Sequence, residues 1–276
     1  MKKETKEFRT YLEFEKDRHL VGVKFLFTRQ EYLACPVNEA THQMFFCMMV
    51  KSAVVGHSMK VAKEHIYCSA ASDVLGFTEP GEDIRNGKTA YQRRFYGTPE
   101  IAKEVSQRIP YLHHQVYGMC IRPLEECEQE PDVVMAFCKP YTAMRIIQGY
   151  SYIFGVDRQI QTVGMGGICT ELMAGAYQRQ DMNASFLCSG TRFAGSWRDD
   201  EVGMSFPYVM FLKVLDGVKQ TADTFEPDEK KEEIQERGKI LEVPVKLEMG
   251  TNYHKSSLGV ARMGVTGYYP RKRKKE

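Results

Sequence analysis

The apolar positions of this chain fall into two rhythms. Residues 21–27, VGVKFLF, form a short apolar and β-branched run that predicts a buried strand, and Cys35-Pro36 closes the connection behind it. From 38 to 55 the period lengthens. Met44, Cys47, Met48 and Lys51 recur at three- and four-residue spacing, Asn38 or Thr41 offers a cap and Gly56 a stop, so a helix is predicted with Cys47 beside methionines. Residues 65–68, HIYC, read as a brief extended run, and 69–75 as a short helix with Cys68 at its N-terminus. Residues 80–97 are polar and glycine-containing, a surface loop. Residues 98–108 open with a threonine cap, a proline in the first turn and Glu100, which predicts a helix that Pro110 stops.

Further along, 116–124 and 133–137 predict strands separated by the acidic loop 125–132, which carries Cys127. Residues 142–154 predict a helix with Met144, Ile147, Tyr150 and Phe154 on one face. A glycine-rich turn at 162–169 then leads into a helix that begins near Cys169. Residues 186–188 read as a short strand, 189–192 as a turn, 202–206 as extended and 207–218 as an apolar helix. Charge dominates 223–238, a solvated helix or linker, before one last predicted strand at 240–247.

Two stretches of this pattern say the same thing twice. Residues 47–77 and 169–197 each run cysteine, helical segment, short apolar run and Cys-Ser, then close on a small-residue turn and an aromatic: Gly76-Phe77 in one, Gly195 with Trp197 in the other. The four repeat cysteines are Cys47, Cys68, Cys169 and Cys188. Packed about a pseudo-twofold axis, the copies would bring four thiols to one place, which is what an iron–sulfur cluster or a structural zinc requires. The expected architecture is therefore α+β: two pseudo-repeated α/β halves packed as one compact domain, with a charged C-terminal extension. A charged N-terminal segment would occupy 1–20, the repeat-bearing domain 21–220 and the extension 221–276.

Composition narrows the classes. The chain has 276 residues with 43% hydrophobic content, enough for a sizeable core, and eight cysteines. The 38 basic and 36 acidic residues are interspersed, so no basic field for nucleic acid is present; the one charge run, Arg271 to Lys275, reads as a solvated end. No run of about 18 apolar residues occurs, and the charged amino terminus lacks the apolar core of a secretory signal. These features predict a cytoplasmic protein without membrane contact, where thiols serve metal binding, catalysis or burial rather than a disulfide framework.

The series Phe46-Cys47, Tyr67-Cys68-Ser69, Arg122-Pro123-Leu124, Pro131-Asp132-Val133-Val134, Gln148-Gly149-Tyr150-Ser151-Tyr152 and Cys188-Ser189-Gly190-Thr191-Arg192 resembles domain-of-unknown-function family 169, the uncharacterised ArCR family, over residues 21–218. The resemblance implies an α+β, prokaryotic, often anaerobe-associated protein. It assigns no activity and transfers no catalytic residue, and Cys35, Cys127 and the charged stretch after Val218 lie outside its pattern.

For chemistry, the first reading is shared iron–sulfur ligation by Cys47, Cys68, Cys169 and Cys188, with zinc or a redox-active thiol pair as the next and plain core burial of duplicated cysteines as the bland account. Iron–sulfur is preferred because two of the four begin helices beside N–H-rich turns, where donors reach cluster sulfides. Gly164, Gly166 and Gly167 would let backbone approach a phosphate, although they match neither the dinucleotide fingerprint nor the P-loop. Ser189, Gly190 and Arg192 suit a carboxylate or phosphate, unless Arg192 pairs with Asp199, Asp200 or Glu201. His113 and His114 point to opposite faces of a strand and share no metal, and His42, His57 and His65 have no counterparts in the second copy. The partners expected are a small anionic ligand or a redox protein. Whether the chain catalyses a reaction is not legible at this stage.

Overall fold

The computed structural model describes residues 1–225 apart from 13, 16, 113, 114 and 157–159. Six strands make one sheet: β1 (Val21–Leu26), β2 (Met59–Ala62), β3 (Gly118–Pro123), β4 (Val133–Cys138), β5 (Asn183–Ser185) and β6 (Val202–Pro207). Their order is β2-β3-β1-β4-β6-β5, and every neighbouring pair is antiparallel. The helices are α1 (Lys2–Tyr11), α2 (Arg29–Ala34), α3 (Phe46–Val54), α4 (Ser69–Val74), α5 (Glu82–Arg85), α6 (Lys88–Gln92), α7 (Pro99–Gln107), α8 (Pro140–Phe154), α9 (Gly175–Arg179), α10 (Ser189–Gly195) and α11 (Tyr208–Phe225). A π-helical segment, Gly167–Ala174, runs directly into α9.

Strand alternation builds a core on each face of this sheet. Val21, Val23, Phe25, Met119, Ile121, Val133, Met135 and Phe137 point to one side, where residues of α3, α4 and the π-helical segment cover them. Val134, Ala136, Met204 and Phe206 point to the other, against α8 and α11. Helices on both sides explain why all six residues of β4 are buried, a continuous apolar run where a half-exposed antiparallel strand would alternate. The charged amino terminus is amphipathic: α1 places Phe8 and Leu12 in the second core, with the Phe8 ring 5.9 Å from Phe211.

Several elements depart from the expected pattern, each for a local reason. The helix predicted from 38 begins only at Phe46. Met44 instead pairs in parallel with Ile66: its N–H donates to His65 O and its carbonyl accepts from Tyr67 N, both at 2.9 Å. Upstream, Ala40 N–H donates to Lys60 O and Lys60 N–H to Asn38 O, so the backbone of this stretch is committed to the outer margin of β2. The loop at 80–97 contains α5 and α6. The strand expected at 186–188 lies earlier, as β5, and the expected turn at 189–192 is the first turn of α10. The helix expected to end at Val218 continues to Phe225. His113 and His114, the strand at 240–247, the run Arg271 to Lys275 and the extension beyond 225 lie outside the described residues. Among the described residues no helix is long and apolar enough to cross a membrane.

Candidate functional site

Each of the four repeat cysteines stands at the start of a helix. Cys47 is the second residue of α3, Cys68 caps α4, Cys169 is the third residue of the π-helical segment and Cys188 caps α10. A helix start presents free N–H groups and a partial positive charge, both of which favour thiolate or another anion. These elements also pack together: α3 lies on α10 and on the π-helical segment, and α4 lies on that segment too.

Specific contacts hold this arrangement. One turn beyond Cys47 on α3, Lys51 Nζ donates to the carbonyls of Gly195 and Ser196 at 2.7 and 2.6 Å, tying α3 to the C-terminal end of α10. The Met44–Ile66 bridge and the edge-on contact of Phe45 with Tyr67, 5.0 Å between ring centres, join the approach to α3 with the approach to α4. Gly167 lets the π-helical segment lie on the backbone of Leu187 and Cys188. Gly203 of β6 leaves room for Leu172, which seats the same segment on the sheet. A π-helical stretch is rare and concentrates at functional sites.

The thiols influence one another. Burial pushes Cys47 up to about 11, and Cys188 and Cys68 add to the rise. Burial likewise pushes Cys169 up to about 12; a hydrogen bond from Thr170 opposes this, and Cys68, Cys188 and Cys47 reinforce it. Cys188 Sγ accepts the N–H of Thr191 at 3.3 Å, with the Thr191 hydroxyl 3.1 Å away. The four are free thiols in one electrostatic neighbourhood. Among the described residues, no three cysteine sulfurs lie within 4.8 Å of one another. A single tetrahedral zinc needs sulfurs about 3.8 Å apart, so this spread is not a closed zinc cage.

The one group of ligating atoms that close, among the described residues, is Glu39, Glu64 and His65. His65 Nδ1 accepts the N–H of Ala62 at 3.0 Å, which puts the proton of a neutral imidazole on Nε2, 3.5 Å from Glu39. That nitrogen is a donor to a carboxylate rather than a free lone pair for a metal.

The glycine turn is wrapped around a carboxylate of the chain itself. Glu171 is buried; its Oε1 accepts from Thr162 Oγ1 at 2.9 Å, Val163 N at 2.6 Å and Gly164 N at 2.9 Å, and its Oε2 accepts from Ser185 Oγ. The Gly164 amide is thus already spent. Gly166 O accepts from Thr170 N and Glu171 N, and Gly167 serves packing. Sequence reasoning passed over Glu171, although a single acid within the apolar run ICTELMAGA was a visible anomaly. Arg192 is also committed: it donates to the carbonyls of Arg198, Phe186 and Glu201, with Asp199 4.0 Å away. Ser189 and Gly190 open α10 beside Cys188.

The remaining cysteines divide. Cys138 is buried in the core against α8 and α11. Cys35, Cys120 and Cys127, which the sequence left without a common role, line one cavity of about 230 Å³ on the sheet face opposite the four repeat thiols.

Comparison with known proteins finds a family model described as domain of unknown function 169, uncharacterised ArCR, matching residues 12–217. An uncharacterised protein of Methanocaldococcus jannaschii is 24% identical over 208 residues, covering 74% of this chain and 88% of that protein. No solved structure matches.

Proposed function

The chain belongs to the uncharacterised ArCR family, and from that footing we propose that it holds an iron–sulfur cluster through Cys47, Cys68, Cys169 and Cys188 and acts in redox chemistry. The observation that carries this reading is the placement of four half-buried free thiols at the starts of four segments, with α3 packed on α10 and both α3 and α4 packed on the π-helical segment. When bound, such a cluster supplies one-electron exchange. Cys47, Cys68, Cys169 and Cys188 would hold the cluster as thiolates, the N–H groups of the helix starts would offset its negative charge, and the Thr191 N–H on the Cys188 sulfur is a contact of the type that would tune its potential.

The strand ladders support the duplicated architecture behind this site. β1 pairs β3 from Val21↔Pro123 to Leu26↔Gly118, and β4 pairs β6 from Val133↔Pro207 to Cys138↔Val202: six pairs each, a proline at the same end. In each half a first cysteine helix precedes the edge strand, and a second cysteine caps the helix after it. A redox partner would find apolar surface beside the site, since Tyr67 next to Cys68, and Phe186 and Phe193 around Cys188, are exposed, Phe193 by 91%. The metal-free alternative, a small-anion module, is less well supported because Arg192 and the Gly164 amide are occupied internally.

Anaerobically purified protein is expected to be brown, with absorbance near about 400 nm, iron and acid-labile sulfide. Cys47→Ser or Cys188→Ser should bleach it while the fold persists by circular dichroism. A colourless, iron-free preparation that also fails anaerobic reconstitution would overturn the reading.

A further inference from the structure

We propose that Cys35 and Cys120 form a second, independent thiol site: a dithiol that closes to a disulfide when a low-molecular-weight disulfide enters the cavity they line. Cys35 caps the end of α2, its N–H donating to Glu31 O at 3.0 Å, and is half-buried. Cys120 sits mid-strand in β3. Both belong to one small cluster with Leu26, Tyr32, Val37 and Ala62, and both line the 230 Å³ cavity.

Basic side chains flank Cys120, although Lys24 is paired with Asp132 and Arg122 lies 3.8 Å from Glu128. Cys120 stands directly across from Lys24 of β1 and Lys60 of β2, on the same face of the sheet, and Arg122 follows two residues on. Lys60 Nζ donates to the carbonyls of Tyr32 and Cys35 at 3.0 and 3.1 Å, which fixes the end of α2 over Cys120. Burial raises the Cys120 thiol well above its ordinary range, and the neighbouring Cys35 raises it further, so Cys120 keeps its proton and is the resolving partner. A basic side chain beside a thiol favours the thiolate that attacks a disulfide.

The chemistry balances as two exchanges. Cys35 thiolate attacks one sulfur of the small disulfide, forming a mixed disulfide and expelling one thiolate, which takes up the proton that Cys35 lost. Cys120 then attacks Cys35 Sγ, forming the internal bond and expelling the second thiolate, which takes the Cys120 proton. The chain is oxidised by two electrons and the small disulfide is reduced to two thiols. Cys127, on the wall of the same cavity, interacts with Cys120 more weakly than Cys35 does and is the control position.

The test treats the full chain, purified anaerobically, with oxidised glutathione, blocks remaining thiols by alkylation, and maps peptides without reduction. Trypsin combined with a glutamate-specific protease separates Cys35 from Cys47 by cutting at Glu39. The expected result is loss of two hydrogens and a Cys35–Cys120 linked peptide, absent in Cys35→Ser and retained in Cys127→Ser. Cys120→Ser should stop at a glutathione adduct on Cys35. A bridge mapped to other cysteines, a Cys35→Ser chain that loses as many thiols as the parent, or a Cys120→Ser chain with no adduct at Cys35 would each overturn the proposal. If Cys120→Ser fails to fold, the alkylation rate of Cys35 in the parent chain decides: it must exceed that of Cys127.

Discussion

Gly167 rests against Cys188: a Cβ placed on Gly167 would lie 2.8 Å from the Cys188 amide nitrogen and 2.7 Å from Leu187 Cα. The obstacle is backbone, which cannot swing aside. Gly167→Ala should therefore cost about 1–3 kcal/mol and displace the capping cysteine, read as a lower Tm together with reduced iron retention. By contrast, Gly190, whose added Cβ would meet only Cys188 Sγ at 3.8 Å, should tolerate alanine with no loss, or a gain of up to about 1 kcal/mol. Equal effects at the two glycines would refute the argument from packing.

Glu171 holds four donors inside the fold, two of them backbone amides of the glycine turn. Glu171→Gln keeps the shape but turns an NH2 group toward donors, and should lose about 2–3 kcal/mol because buried donors are left unpaired. Chemical denaturation measures the loss. Added phosphate should not restore stability if the turn exists to bind the chain's own carboxylate.

Metal loading should depend steeply on pH. Burial holds Cys47 and Cys169 protonated at neutral pH, and a metal takes thiolate, so loading must release protons. Cluster uptake in anaerobic reconstitution with iron and sulfide is expected to rise from pH 6.5 to 8.5, by up to about tenfold per unit for each proton displaced. Spectrophotometric titration of the metal-free chain reads this directly; a flat profile would exclude these thiols as ligands.

The metal-free chain should also weaken in alkali. Burial alone pushes Cys138 up to about 12, whereas an unfolded cysteine ionises near about 8.5. Below that value both states are neutral and the thiol contributes nothing that varies with pH. Above it the unfolded chain loses its proton first, so stability falls by about 1.4 kcal/mol per pH unit for such a thiol until the folded value is reached. Cys138→Ala should flatten that part of the profile, measured by urea unfolding at successive pH values.

Local signals made much of the fold legible. Thr98 and Pro99 marked α7 because cap and proline act within one turn, and the apolar runs at 21–27 and 133–137 marked the two central strands. What the pattern could not show were long-range commitments. The helix predicted from 38 starts only at Phe46, since the bridges of Glu39 to Lys60 and Met44 to Ile66 take the backbone of the stretch before it. Cys35 and Cys120, 85 positions apart, meet only because β3 lies between β1 and β2. Arg192 looked like an anion ligand because carbonyl oxygens, its actual partners, have no residue-type signature.

The two margins of the sheet determine how the molecule behaves among its neighbours. β5 is only three residues long, and β2 has its outer side engaged by Asn38 and Ala40 through Lys60. Among the described residues little unpaired strand backbone is left to template another chain, which obstructs edge-to-edge growth of this sheet. Loss of the short segment 38–40 would uncover the outer side of β2, so that strip, more than any residue of the interior, guards the sheet against pairing with another chain.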